Sequence, residues 1–164
     1  MNIKIEELKE LLKSKYLVTI LSNASSYLFN NIEDINWCGF YIYENEKLIL
    51  GPFQGKPACE IIPITKGVCG YCARNVKTIV VDNVHDFPGH IACDCESNSE
   101  IVLPIIIDNK LFGVLDIDSK KLKRFNEEDK FVLENVVKTL ESVIKESKKI
   151  DGILWGEYDK LWID

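Results

Sequence analysis

Residues 101–119 read IVLPIIIDNKLFGVLDIDS, and this stretch decides the fold class. Two apolar runs, Ile101 to Ile107 and Leu111 to Ile117, flank the polar triplet Asp108-Asn109-Lys110. Short runs rich in β-branched residues on either side of turn-forming residues predict an antiparallel β-hairpin. Pro104 is expected to introduce a bulge there, because proline cannot donate a ladder hydrogen bond.

The length of the hairpin loop decides which side chains share a face of the sheet. Asp116 and Asp118 point the same way, because side chains at i and i+2 lie on one side of a strand. If Asp108-Asn109-Lys110 is a three-residue loop, Glu100 lies directly opposite Asp118. A two-residue loop is expected to turn Glu100 to the other face.

Other strands are predicted on both sides of this hairpin. A second hairpin is expected from Trp37 to Tyr43 and from Lys47 to Leu50, followed by a loop over GPFQGKPAC at 51–59. Shorter strands are predicted over Glu60 to Ile64 and Thr78 to Val81. A long loop, of the length that usually serves a function, is expected from Asp82 to Glu100.

Helices are predicted mainly at the two ends of the chain. Apolar residues at helical spacing run from Ile3 to about Asn31, with a break near Ser14, and a short helix follows Gly67. Asn126 before three acidic residues predicts the N-cap of a last helix. The buried stripe of that helix is expected to comprise Leu133, Val136, Val137, Leu140, Val143 and Ile144. Helices around a block of strands predict an α+β domain with helices covering one sheet face.

Composition excludes several classes of function. A chain of 164 residues with 46% hydrophobic residues is long enough for one compact domain, expected over residues 1–150 with a separate tail at 151–164. The net charge of −6 and the lack of a basic run argue against nucleic-acid binding. The first nine residues mix charges where a signal peptide needs an apolar core, so a cytoplasmic location is expected.

Six cysteines in a chain of this size indicate metal binding or redox chemistry if the compartment is reducing. Cys69-x-x-Cys72 with Cys93-x-Cys95 is one candidate zinc set, although the second pair lacks the usual two-residue spacer. A thioredoxin fold around Cys69 and Cys72 is disfavoured, because the strands that follow form antiparallel hairpins. Cys38 lies in an apolar strand and is expected to be a small buried hydrophobe.

Five motifs in a fixed order carry a resemblance to a known family. They are WCGFY at 37–41, GPFQGK at 51–56, GVCG at 67–70, GHIACD at 89–94 and GVLDIDS at 113–119. Over about residues 20–145 the chain closely resembles the free methionine-(R)-sulfoxide reductases, which are stand-alone GAF-like domains. The resemblance implies an α+β, GAF-like fold with a central antiparallel sheet. The terminal helices are expected on one face and the ligand pocket on the other.

The resemblance also implies roles for three cysteines. It makes Cys93 the attacking thiol, Cys59 the thiol that resolves its oxidised form, and Cys69 a candidate for further exchange. The order in which Cys59 and Cys69 act stays open. Cys72 and Cys95 remain alternatives as resolving thiols, or are inert.

The same resemblance places the substrate among aromatic and acidic residues. It implies a pocket lined by Trp37 and Tyr41, with Glu100, Asp116 and Asp118 as acidic ligands. Reduction of a sulfoxide requires a thiolate to attack sulfur while an acid protonates the oxygen. We expect mutual repulsion and loss of water to raise the pKa of at least one carboxyl, with Glu100 and Asp118 near the oxygen and Asp116 near the ammonium group.

The expected reaction leaves a sulfenic acid on Cys93, which a second thiol converts to a disulfide. Thioredoxin or a similar dithiol is then the expected reductant, and no cofactor or metal is expected. A homodimer is common for such a family, and the tail is a candidate contact. Two rival hypotheses are a non-catalytic ligand-sensing GAF module and a zinc-stabilised interaction protein.

Overall fold

The computed structural model describes residues 1–88 and 96–150, with side chains described as far as residue 147. Six strands of this described part form one sheet with the order β3-β2-β1-β6-β5-β4. Every neighbouring pair is antiparallel. The strands are β1 (Trp37–Glu44), β2 (Lys47–Gly55), β3 (Ile61–Pro63), β4 (Ile79–Val81), β5 (Ser99–Ile107) and β6 (Lys110–Ser119).

Four α-helices accompany the sheet in the described residues. They are α1 (Ile5–Leu11), α2 (Leu17–Asn31), α3 (Gly67–Asn75) and α4 (Glu127–Ile150). The break predicted near Ser14 and the short helix after Gly67 are both confirmed. The predicted N-cap is confirmed as well, because Asn126 Oδ1 accepts the Asp129 N–H at 2.9 Å and Asp129 Oδ2 accepts the Asn126 N–H at 3.1 Å. None of the helices in the described ranges is both long and apolar enough to span a bilayer.

The two faces of the sheet bury different sets of side chains. One face packs against α1, α2 and α4, and the predicted stripe of α4 is buried there in full. The opposite face carries a second apolar cluster that includes Trp37, Tyr41, Val102 and Val114 together with residues of α3. The expected α+β arrangement is therefore confirmed, with the terminal helices on one face.

Of the two loop lengths considered, the β5–β6 hairpin has the shorter one, but without the consequence expected for it. Ile107 pairs with Lys110, so the loop has two residues, and Asp108 and Asn109 both have positive φ (50° and 61°). In a hairpin of regular register, a two-residue loop places Glu100 and Asp118 on opposite faces of the sheet. In the structure, Glu100 nevertheless pairs directly with Asp118. The register shifts between Ile105 and Ile106, and this bulge restores the facing that a three-residue loop was expected to give.

β2 also extends further than predicted. The loop expected from residue 51 is wrong over its first half, because the strand continues to Gly55. The β1–β2 register shifts between the pairs Gly39↔Phe53 and Tyr41↔Leu50. Pro52 lies in that irregular part, where a missing N–H is tolerated. Phe53 is thereby brought alongside β1.

Candidate active site

Three carboxylates converge on the sheet face opposite the terminal helices. Glu100 of β5 pairs with Asp118 of β6, and Asp116 lies two positions before Asp118 on the same strand. Each residue offers one oxygen to a group whose atoms all lie within 4.8 Å of one another. Glu100 and Asp116 are each only 7% exposed. The structure therefore brings the three predicted acids together.

Burial and repulsion disfavour the ionised form of this cluster. The pKa of Glu100 is raised by burial first, then by the charges of Asp116 and Asp118 and a hydrogen bond with Asp118. Burial and the Asp118 charge also raise the pKa of Asp116, although hydrogen bonds from Cys69 and from the Ile117 N–H oppose the shift. The arrangement favours a carboxyl that stays protonated above the usual carboxyl range.

The two oxygens of the Asp116 carboxylate differ in their hydrogen bonding. Asp116 Oδ2 accepts a hydrogen bond from Cys69 Sγ at 3.3 Å. Asp116 Oδ1 is also buried, but has no hydrogen-bond partner among the described residues. A buried acceptor without a donor is costly and commonly marks a place where a ligand donates.

The two cysteines of α3 face different surroundings. The Cys69 thiol lies against the carboxylates, and its pKa is raised by burial and then by the charges of Asp116 and Glu100. Cys72 donates to the Val102 carbonyl at 3.5 Å, and burial raises its pKa as well. Both residues carry free thiols. In this arrangement Cys69 is a protonated donor to Asp116, not a ready nucleophile.

Aromatic rings form a stacked wall at the start of β1. The ring centroids of Trp37 and Tyr41 lie 5.9 Å apart, and those of Trp37 and Phe53 lie 5.4 Å apart. The Trp37 indole donates to the Lys56 carbonyl and the Tyr41 hydroxyl donates to the Cys59 carbonyl, each at 3.1 Å. Trp37 and Tyr41 thus stack together and are held by the chain that follows β2.

Phe53 was missed by the sequence reasoning, which assigned it to a loop. The sequence feature that could have indicated a stacked ring here is Gly39, which pairs with Phe53. A Cβ added to Gly39 meets the Phe53 Cβ at 2.4 Å and the Trp37 ring at 2.6 Å. The glycine therefore makes room for the stacked rings.

The remaining predicted thiols are described only in part. Cys59 is half-buried after β2 and is disulfide-bonded. Cys38 is buried against the helices as a free thiol, which confirms its predicted role as a core residue. The predicted nucleophile Cys93 lies outside the described residues, as does Cys95. The zinc hypothesis also requires these two residues, so only Cys69 and Cys72 of its ligand set lie in the described part.

Comparison with known proteins gives consistent matches over the range that contains this site. The GAF domain family matches residues 17–145. The free methionine-R-sulfoxide reductase of Escherichia coli (strain K12) is 48% identical over 132 residues, covering 80% of this chain and 79% of that protein. The protein of the same name from Saccharomyces cerevisiae is 49% identical over 128 residues, covering 73% and 71%.

A solved structure matches the fold with its ligand present. The free methionine-R-sulfoxide reductase of Neisseria meningitidis, in complex with its substrate, has a TM-score of 0.86 at 35% identity. The match covers 90% of this chain and 89% of that one. The likeness in sequence and in structure thus extends over the acidic cluster and the aromatic wall.

Proposed function

Because this chain belongs to the GAF-domain free methionine-R-sulfoxide reductases, we propose that it reduces free L-methionine-(R)-sulfoxide to methionine with thiols as the electron source. The observation that carries the proposal is the buried group of Glu100, Asp116 and Asp118 beside a stacked aromatic wall. This site offers a proton donor to the sulfoxide oxygen and an apolar surface to the sulfur substituents.

In the first step, the Cys93 thiolate attacks the sulfoxide sulfur. The oxygen takes a proton from the hydrogen-bonded pair of Glu100 and Asp118, because an unprotonated oxide is a poor leaving group. The resulting sulfur–sulfur adduct between Cys93 and the substrate then breaks down, which releases methionine and leaves the oxygen on Cys93 as a sulfenic acid. The sulfoxide is reduced by two electrons and the thiol is oxidised by two.

In the second step, the Cys59 thiol condenses with the sulfenic acid of Cys93 to give a disulfide and water. The participation of Cys59 in a disulfide supports this role. A dithiol of the thioredoxin type then reduces the bond by exchange. Cys69 is the weaker candidate for first resolving thiol, because its proton is held against Asp116 and its pKa is raised. We assign it to later exchange.

The free amino acid is positioned by its two ends. Its ammonium group donates to Asp116 Oδ1, which is the buried acceptor that lacks a donor among the described residues. Its S-methyl group packs against Trp37 and Tyr41. A peptide-bound methionine has no free ammonium group, so this assignment gives a physical reason for preferring the free amino acid.

Several broader assignments belong to the same proposal. Residues 1–150 form the catalytic domain, and the tail at 151–164 lies outside it. A cytoplasmic location is proposed because re-reduction of the catalytic disulfide by a dithiol of the thioredoxin type requires a reducing compartment. A homodimer remains a prediction from the family resemblance.

The direct test is incubation with both sulfoxide epimers, free and within a peptide, in the presence of thioredoxin. We expect consumption of the free R epimer alone. Cys93→Ser should abolish it, while the matched variant Cys38→Ser, in the helix-side core, should keep it when folded. Binding of ligand without consumption of any epimer would contradict the proposal and favour a sensing module. Full activity of Cys93→Ser would show that the nucleophile lies elsewhere.

A further inference from the structure

One exposed carboxylate joins the ends of two strands beside the site. Glu96 Oε2 lies 2.6 Å from Lys56 Nζ and 2.7 Å from Lys120 Nζ. Lys56 is the first residue after β2, and Lys120 is the first after β6. The two lysines lower the pKa of Glu96 to about 2, so the carboxylate is ionised at neutral pH.

The segment held by Glu96 is the one that carries the proposed resolving thiol. The Lys56 carbonyl accepts from the Trp37 indole, and the Cys59 carbonyl accepts from the Tyr41 hydroxyl. Trp37 and Tyr41 thus hold this segment through its backbone carbonyls, and Glu96 holds it through the Lys56 side chain. In the sequence, Glu96 lies three residues after Cys93.

Such a network is suited to positioning more than to stability. The Glu96, Lys56 and Lys120 side chains are 41%, 57% and 59% exposed. Exposed ion pairs add little to the free energy of unfolding and weaken as salt screens them. They restrict the separation of the chain segments that they join, which raises the effective concentration of groups on those segments.

We propose that Glu96 is a positioning residue for the disulfide step, because it ties the segment of Cys59 to the chain that follows Cys93. This inference rests on the proposed function. In that step the Cys59 thiol attacks the sulfenic sulfur of Cys93, the S–S bond forms, the S–O bond breaks, and the oxygen leaves as water. Glu96 contacts neither the substrate nor the reacting sulfurs, so it acts through Lys56.

The test separates the two chemical steps in a single turnover without reductant. Methionine release reports sulfoxide reduction, and the loss of free thiols after that release reports disulfide formation. In Glu96→Gln we expect unchanged methionine release and disulfide formation slowed about fivefold. The matched control is Glu10→Gln, because Glu10, near the end of α1, forms an exposed ion pair with Lys13 at 2.6 Å. It should alter neither step.

Salt and a double-mutant cycle distinguish positioning from a general structural defect. Added salt should slow disulfide formation in the unmodified protein toward the rate of Glu96→Gln, and should leave that variant unchanged. Lys56→Met should slow the same step, and the double variant should be no slower than the slower single variant.

Three results would overturn the inference. The first is an unchanged disulfide step in Glu96→Gln with methionine still released, which leaves the proposed function intact. The second is an equal slowing of both steps, which indicates a general structural role. The third is absence of methionine from the unmodified protein, which also refutes the proposed function.

Discussion

The two faces of the β5–β6 hairpin carry different side chains, apolar ones toward the helices and a group of acids on the other side. Toward the terminal helices, Ile101, Leu115 and Ile117 are fully buried in an apolar core. On the other face, their sequence neighbours Glu100, Asp116 and Asp118 form a cluster of acids. Alternation along these strands therefore places the proposed catalytic acids on the face away from the helix-side core.

The helix-side core and the acidic cluster contribute to stability with opposite signs. Burying a leucine or isoleucine side chain stabilises a fold by roughly 1.5–3 kcal/mol. Bringing carboxylates together away from water is unfavourable, and the raised pKa values of Glu100 and Asp116 report that cost. The apolar clusters on both faces of the sheet thus offset the cost of burying the acidic cluster.

The largest expected effect comes from removing the acid on the catalytic face. Glu100→Gln should lower kcat by about 10²–10⁴, the usual contribution of a general acid. The melting temperature should stay the same or rise, because the variant does not have to take up a proton on folding at neutral pH as a carboxyl with a raised pKa does. Steady-state kinetics and thermal denaturation measure the two quantities.

The matched control for that variant is Glu141→Gln in α4. Burial raises the pKa of Glu141 too, but its carboxylate accepts the Ile106 N–H at 2.6 Å, away from the cluster. It should keep its activity. A normal kcat for Glu100→Gln would show that the proton comes from another group.

A neighbouring pair of substitutions tests the division between the faces. Leu115→Ala should lower the free energy of unfolding by about 2–5 kcal/mol through the cavity it leaves, with little change in kcat of the folded protein. Asp116→Asn should alter stability less and raise KM for the free amino acid. Chemical denaturation and kinetics on both variants give the result. The account is wrong if Asp116→Asn proves the more destabilising change.

The pH dependence of stability should carry the signature of the acidic face. Glu100 and Asp116 have pKa values raised by folding, so the folded protein binds more protons than the unfolded chain between the usual carboxyl pKa and the raised values. Their contribution is fully present below the usual carboxyl pKa and is lost as pH rises through the raised values. Denaturation across this window should show a falling free energy of unfolding that is flatter in Glu100→Gln. Identical slopes would contradict the account.

The smallest expected effect concerns the aromatic wall. Trp37→Phe keeps a ring for stacking but loses the indole hydrogen bond to the Lys56 carbonyl, so KM should rise about fivefold. Phe40 is buried on the helix-side face. The matched variant Phe40→Leu should lower the melting temperature and leave KM unchanged. A larger rise of KM in Phe40→Leu would mean that the two faces are not separable in this way.

Local patterns were sufficient to predict much of the fold. The break between α1 and α2, the Asn126 cap and the α4 stripe each depend on residues near one another in sequence. The extra length of β2 was missed because Gly51 and Pro52 ordinarily end a strand, whereas here the register shifts around them. This irregular register depends on pairing with β1, so residues 51–55 alone do not indicate it.

The site was predicted in part for a similar reason. The convergence of Glu100 with Asp118 was expected only for a three-residue loop, yet it occurs with a two-residue loop because a bulge further along the hairpin compensates. The contact of Cys69 with Asp116 spans 47 positions in sequence. No periodicity or spacing reports such a contact, since it depends on how α3 packs against the sheet.

We infer that a carboxyl of this cluster stays protonated at neutral pH. Infrared difference spectroscopy between the unmodified protein and Glu100→Gln tests it most directly, through the carbonyl stretch of a carboxylic acid. We predict that this band is present at pH 7 in the unmodified protein and lost in the variant. A spectrum that shows only ionised carboxylates at pH 7 would contradict the account.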